Sequence, residues 1–425
     1  MKAGRLLAIS DIDIPEMNLT GSGGSMRSTR SIVEYSKYFD VDLIIPRILG
    51  INIRSEEIAR SLSIGEVLSF SVRGRILRLL HERSPTLFYA GFPVFIHKWL
   101  VKVGSPTRPP DAIVILNEPL NHVIVGKRFK EEYGVRSMLL FQLPPFYHDK
   151  ERRRHIRQAF KSWYKELYGD SFLAEYSRRI LRSMELWLLD SKKVRSFYES
   201  HDLLVAVSRS IPLEMGEEWV NKFHVLDPGV SLNDEDLAVI NEVKNSTKEK
   251  KNYIVFGGRP DPLKGFLEGL KVFKEISKRY TDLKLVVTGY LGHKLKLRIE
   301  KLIKRIGLND KVFLTGYIPR RERFKVVAEA RLMLYPSHVD AYPYAVLESL
   351  YLGTPLVAYD IPALRFNYGN NPGVILVKEG DIEALINMTI NMLESRYTEI
   401  QPPKSRSWKD IMREELNLVE KLIEK

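Results

Sequence analysis

Two carboxylates eight positions apart, Asp340 and Glu348, stand in the segment DAYPYAVLESLYLGTPLVA, which closes with a Gly-Thr-Pro and a short apolar run. The turn ahead of Glu348 reads as the opening of a helix, and the run at 356–358 as the next strand. Carboxylates accept hydrogen bonds from sugar hydroxyls, and the free backbone N–H groups of a helix start attract phosphate. Acid, helix start and acid together suit a polyhydroxylated ligand that carries phosphate.

A second constellation, GGRPDPLKG at 257–265, follows an apolar run and precedes a helix-period segment. Arg259 and Lys264 therefore flank a turn at the C-terminal end of a strand, where α/β sheets place ligands. A guanidinium forks across two oxygens while an ammonium acts as a point charge, a pairing that suits a diphosphate. The third is NLTGSGGSMRS, with Gly21, Gly23 and Gly24 between the first apolar run and a helix. It is neither a Walker loop nor the strict G-x-G-x-x-G fingerprint. Glycines there still permit close backbone approach and leave N–H groups for phosphate.

Such residues need sheets to hold them. Candidate strands lie at 5–9, 41–45, 86–89, 112–116, 137–141, 203–207 and 223–226, and a second series at 253–256, 283–287, 312–314, 332–335, 356–358 and 374–377. Uninterrupted Val/Ile/Leu runs separated by helices indicate parallel sheets covered on both faces. At 425 residues the chain is too long for one core. The expected fold class is α/β with two doubly wound, Rossmann-like domains. The expected division is 1–232, a polar linker region at 233–252 and a second domain at 253–400. A helix within 401–425 carries Ile411, Leu416, Val419 and Leu422 on one face, and its domain is left open.

Composition narrows the chemistry. Without cysteine there are no disulfides, thiolate metal sites or cysteine nucleophiles. A net charge of +13 calls for an anionic partner, and between Lys150 and Glu199 thirteen Lys/Arg face seven Asp/Glu. No nucleic-acid reader motif accompanies that charge, so nucleic acid is not the expected partner. Ile156, Phe160, Trp163, Tyr164 and Leu167 recur at helical spacing, as do Leu173, Tyr176, Ile180, Met184 and Trp187. Gly169-Asp170 reads as the stop and new N-cap between them. Core packing and a helix pair on an anionic membrane surface both account for these stripes. No apolar run approaches the length of a membrane span, and the N-terminus lacks a signal-peptide h-region. A cytoplasmic protein, peripheral at the membrane face, is the expectation.

From about Tyr253 to Leu393 the chain resembles the retaining GT-B glycosyltransferases of family 4, the glycosyl transferases group 1. The motifs that carry the resemblance are Arg259, Lys264 and Gly265; Pro336-Ser337; Asp340 and Glu348; and Gly353-Thr354-Pro355-Leu356-Val357-Ala358. The N-terminal half matches more loosely, through Gly23-Gly24, LLVAVSRS around Ser208 and HVLDPGV at 224–230.

The resemblance implies a nucleoside-diphosphate sugar bound mostly by the C-terminal domain, in a cleft between the two. Arg259 and Lys264 would stabilise the diphosphate as the glycosidic bond breaks, and Asp340 would face the sugar hydroxyls. Glu348 would hold the ribose, and Ile318 falls in the base-contacting loop. Gly265, Tyr342, Tyr344 and Ala345 complete the donor-binding stretch, while Gly23 and Gly24 would approach the diphosphate from the other domain. No cofactor and no metal are implied, and the acceptor would be a carbohydrate or lipid-linked hydroxyl. Three positions depart from the pattern. Asp340 replaces a glutamate, Tyr342-Pro343 replaces Phe-Gly, and Gln142 stands where a histidine is common, with His148 six residues later. A nucleotide-sugar 2-epimerase and a non-catalytic nucleotide-sugar binder on the same fold are the alternatives.

Overall fold

Strands that are apolar on both faces must be covered on both sides, and the chain builds two parallel sheets of that kind. The computed structural model describes residues 2–14, 17, 23–46, 55–92, 94–169, 171–395, 400–403 and 406–424. In chain order the strands are β1 (Arg5–Ile9), β2 (Asp40–Ile44), β3 (Val67–Leu68), β4 (Phe70–Val72), β5 (Val101–Val103), β6 (Ala112–Ile115), β7 (Arg136–Phe141), β8 (Leu203–Ala206) and β9 (Phe223–Val225). They continue with β10 (Tyr253–Phe256), β11 (Lys284–Thr288), β12 (Val312–Gly316), β13 (Met333–Tyr335), β14 (Leu356–Tyr359) and β15 (Val374–Val377). One sheet has the order β3-β2-β1-β6-β7-β8-β9 and the other β12-β11-β10-β13-β14-β15, while β4 and β5 form a short antiparallel ribbon. Each large sheet reverses its strand order once, between β1 and β6 and between β10 and β13. Ligands of open α/β sheets collect at those points.

Contacts divide the chain into two compact units. The first comprises Met1–Tyr147, Arg182–Val230 and Trp408–Lys425; the second comprises His148–Leu181 and Ser231–Ser407.

In the first unit, Leu6 to Ile9 and Ala112 to Ile115 are fully buried and form the centre of the sheet. Residues 86–89 are not a strand but lie in the helix Pro85–Gly91. Ser84 accepts the Leu87 N–H and Pro85 occupies the first turn, a helix-start signal that outweighs the short apolar run. The helix Trp408–Ile423, whose domain the sequence left open, packs here. Its Glu415 is fully buried between Arg27 and Tyr35 of the helix Gly23–Tyr38. Arg27 Nη1 lies 3.2 Å from Glu415 Oε1 and 2.8 Å from Ser31 Oγ, and its Nε donates to the Gly229 carbonyl at 3.1 Å.

Three histidines of this unit are buried and held neutral. His81 meets Tyr89 Oη at 3.2 Å, His97 lies against Phe88 and Tyr89, and His201 sits between Ser137 Oγ and the Val123 carbonyl. Burial lowers each to about 4. Between pH 6.5 and 4 the unfolded chain therefore binds protons that the folded one does not, so these groups stabilise above pH 6.5 and that contribution is lost on acidification. Glu118 opposes them. Burial raises its carboxyl to about 7, a contribution present at low pH and lost as pH rises. About two protons remain in favour of the unfolded state, a slope of about 3 kcal/mol per pH unit near pH 5.5. The thermal midpoint is expected to fall steeply from pH 6 to 5, while above pH 6.5 His338, raised to about 9, opposes the change. A flat profile would show that the rings take up protons inside the fold.

In the second unit, the segment expected as a linker is largely the helix Asp234–Ser246. Asn233 caps it, and three acidic residues in its first turn suit the dipole. Arg320 binds its Asp236 at 2.8 Å and Arg321 its Glu242 at 2.5 Å.

The helix Lys150–Tyr168, expected in the N-terminal domain, also belongs to this unit. It buries Ile156, Ala159, Trp163 and Leu167, with Trp163 edge-on to Phe266. Core packing thus explains the first of the two apolar stripes. The second, on the helix Phe172–Leu189, faces outward. Gly169 ends the earlier helix as expected, while Asp170 and Gly21 lie outside the described residues. Among the described residues no helix is long and apolar enough to cross a membrane.

Candidate active site

The site is built at the second sheet's reversal point, because β10 and β13 are neighbours there and each ends in a loop rich in polar groups. After β10, GGRPDPLKG turns through the short 3-10 segment Pro262–Lys264, with Asp261 capping the Leu263 N–H at 2.9 Å. Gly265 then opens the helix Phe266–Arg279 with φ +65°. A Cβ at Gly265 would stand 1.9 Å from the Pro336 carbonyl oxygen, so only glycine allows the two loops to touch. The His338 N–H donates to the Leu263 carbonyl at 2.8 Å and cross-links them.

That contact delivers Lys264 to Asp340. Lys264 Nζ lies 2.6 Å from Asp340 Oδ2 and 3.0 Å from the Val339 carbonyl. Tyr335 Oη and Ser337 Oγ (3.2 Å) donate to the same Oδ2, and the carboxylate is nearly buried. Among the described residues, all the side-chain bonds to the Asp340 carboxylate fall on Oδ2. Burial and the Asp340 charge together hold the Tyr335 phenol well above its usual range, so it remains a donor. Arg259 is the looser cation. Its side chain is 55% exposed, its ion-pair partner is Asp261 at 3.6 Å, and its Cβ approaches Gly289 at the end of β11.

Glu348 is buried in the helix Tyr344–Tyr351, opposite the helix Arg320–Glu329. Arg323 grips both carboxylate oxygens, with Nη2 2.8 Å from Oε1, and Arg320 lies 3.6 Å from Oε1. A fork of this kind fixes the plane of the carboxylate and uses one lone pair on each oxygen. Tyr342 packs against Tyr368 with ring centres 5.4 Å apart, Tyr344 is buried and Ala345 half-buried. Ile318 is half-buried in the loop between β12 and the helix Arg320–Glu329, beside the exposed Tyr317.

Sequence reasoning missed the support behind the Asp340 loop. His338 is buried, with Nδ1 2.8 Å from Glu379 and Nε2 3.5 Å from Glu268. Burial alone would lower its pKa, but the two carboxylates outweigh that and raise it to about 9. The second oxygen of Glu379 binds Arg152 at 2.5 Å, and Arg152 also donates to the His338 carbonyl at 2.6 Å. The helix Lys150–Tyr168 thereby clamps the loop that carries Asp340. Arg320 and Arg323 were also missed, although RRERF opening a helix was the available signal.

The remaining candidates lie at the ends of strands or in adjoining loops. In the first unit, Gly23 and Gly24 begin the helix Gly23–Tyr38 after β1. Gln142 follows β7, and its amide donates to Ser28 Oγ at 2.8 Å and to the Leu116 carbonyl at 2.7 Å. Both amide protons are thus spent on the fold. His148 is exposed just ahead of the helix Lys150–Tyr168.

Residues 240–414 match the family profile of glycosyl transferases group 1. The matched stretch begins within the helix Asp234–Ser246 and takes in the whole second sheet, so it contains Arg259, Lys264, Asp340 and Glu348. A 2-deoxystreptamine N-acetyl-D-glucosaminyltransferase from Niallia circulans is 26% identical over 145 residues, 34% of this chain and 36% of that protein. The aligned stretch is thus about a third of the curated relative's length.

Solved structures align over nearly the whole chain. The Anabaena Alr3699/HepE protein in complex with UDP and glucose gives a TM-score of 0.60 at 12% identity, covering 98% of this chain and 99% of that one. Sucrose-phosphate synthase from Thermosynechococcus elongatus gives 0.64 at 15%, covering 99% of each. The fold is α/β of the GT-B type.

Proposed function

We propose that this protein moves a hexose from a nucleoside-diphosphate sugar to a hydroxyl acceptor with retention of configuration and without a metal ion. The observation that carries the reading is the Lys264 ammonium, held 2.6 Å from Asp340 at the strand-order reversal. Charge develops on the departing diphosphate in the transition state, and preorganised cations there lower the barrier. Lys264 supplies one such charge in a fixed place, and Arg259, free to swing, closes on the outer phosphate. In many transferases a divalent metal does this work, and two cations make it unnecessary.

The other side chains divide the donor between them. Asp340 uses Oδ2 to hold Lys264 and offers Oδ1 to a sugar hydroxyl. Glu348, its plane fixed by Arg323, faces the two ribose hydroxyls. Ile318 and Tyr317 meet the base, with Tyr342, Tyr344 and Ala345 along the sugar and phosphate. In the first unit, the first-turn N–H groups at Gly23 and Gly24 are suited to phosphate. The acceptor oxygen bonds to the anomeric carbon as the carbon–oxygen bond to phosphate breaks, and its proton passes to the released phosphate oxygen. No protein nucleophile enters. Gln142, with its amide protons committed, has only its carbonyl to offer an acceptor, and His148 lies six residues on. A lipid-linked or polysaccharide hydroxyl, reached from the cytoplasmic membrane face, is the acceptor this reading favours.

The test is thermal stability against a panel of nucleoside diphosphates and their sugars, headed by UDP because the Anabaena relative binds it. One nucleotide at a hundred times its Kd is expected to add about 2.7 kcal/mol. The gain should disappear in Arg259→Ala and persist in EDTA. If no nucleotide moves the midpoint, the donor reading fails.

A further inference from the structure

The helix Phe172–Leu189 is oriented with its charged side inward. Glu185 is buried, and Arg182 and Glu175 are three-quarters covered or more. Its apolar side chains point out: Leu173 is 78% exposed and Trp187 70%, with Tyr176, Ile180, Leu181 and Met184 between them. These lie along one face, mostly at three- and four-residue intervals, over about four turns of helix, the pattern of a face that lies on an apolar surface. Scattered exposed apolar residues need no explanation, but six on one face do.

The preceding helix contributes charge. On Lys150–Tyr168, Lys150, Arg153, Arg154, Arg157 and Lys161 border a shallow recess of about 500 Å³ with Gln158, on the side opposite the buried stripe. We infer that these two consecutive helices dock on a bilayer that carries anionic lipid. The outward face of 172–189 enters the headgroup boundary, and the recess takes lipid phosphates. Charge complementarity selects this occupant over a second copy, since two chains of net charge +13 repel while an acidic leaflet attracts. Trp187 and Tyr176 suit the wet-to-apolar boundary, where amphipathic rings settle. The inference rests on the proposed lipid-linked acceptor for its purpose, but it is tested without donor or acceptor, so its failure leaves the transferase reading standing.

The experiment is co-sedimentation of the full chain with phosphatidylcholine vesicles and with phosphatidylcholine vesicles containing phosphatidylglycerol, at low and high salt. Expected is binding to the second kind, weakened by salt and accompanied by a blue shift in tryptophan emission. The double variant Ile180→Glu/Met184→Glu should lose about ten-fold or more in affinity. Its thermal midpoint and nucleotide response should be unchanged, because both side chains already face outward. Arg157→Glu/Lys161→Glu should lose the anionic preference while keeping the same midpoint. The inference is overturned by binding to neither vesicle, by binding that the first variant leaves intact, or by a thermal midpoint collapsing in that variant. It is also overturned if sedimentation velocity finds a dimer that the variant converts to monomer, which would make a second copy the occupant.

Discussion

Lys264→Ala is expected to lower kcat by about 10²–10³-fold while the protein stays folded. The ammonium lies where leaving-group charge would develop, and among the described residues no other cation contacts Asp340. Lysine is a compact point charge, so the neutral isostere methionine should be as inactive as alanine, and arginine should restore only part of the rate. The substitution also strands the nearly buried Asp340 carboxylate, which keeps only the Tyr335 and Ser337 hydroxyls. That structural cost can be separated from the catalytic one. In Lys264→Ala/Asp340→Asn the stranded charge is gone, so stability should recover while kcat does not. Single-turnover kinetics with saturating donor, alongside urea unfolding, measures both. If the double variant regained activity, Lys264 would act only as a counter-ion for Asp340, and the transition-state role would fail.

The largest loss of stability is expected from Glu415→Gln, at about 3–5 kcal/mol. Glu415, Arg27 and Tyr35 are all fully buried, and the amide would leave the Arg27 guanidinium without its carboxylate counter-charge. A buried charge without its partner costs far more than the pair contributes, because both desolvation penalties are already met in the native state. Glu415→Leu/Arg27→Met should therefore recover most of the loss, since it removes both charges and leaves apolar volume. Urea unfolding followed by circular dichroism checks the pair of results. A double variant as unstable as the single would show that the network is needed for shape rather than for charge balance.

Local pattern made the two sheets legible. Uninterrupted apolar runs marked nearly every strand, and glycine, proline and cations clustered after β10, with proline and an acid after β13. The meeting of those loops was legible only as a family likeness. Its cause is the adjacency of β10 and β13, which strand composition does not encode. Residues 86–89 misled because an apolar run of four fits a buried helix turn as well as a strand, and Ser84-Pro85 was the deciding signal.

Partners far apart in the chain were out of reach. Arg152 and Glu379 are 227 positions apart, and Arg27 and Glu415 388. Helical periodicity shows that Lys150–Tyr168 has a buried stripe but not which sheet receives it. Nor does it show that the next helix turns its apolar stripe outward, since that depends on which face finds counter-charges. The departure at Asp340 has a similar explanation: its bonding to Tyr335, Ser337 and Lys264 appears only once β13 and the glycine turn are side by side.

The return of Trp408–Ile423 to the first unit sets an order of events during synthesis. The first unit emerges from the ribosome first but lacks Glu415 until the last helix has been made, so Arg27 must wait in a half-built core. The second unit's last described segment precedes that helix, so the later-made half can close before the earlier one. A gene fragment cut after Val230 would encode a helix Gly23–Tyr38 whose Arg27 lacks its Glu415 partner.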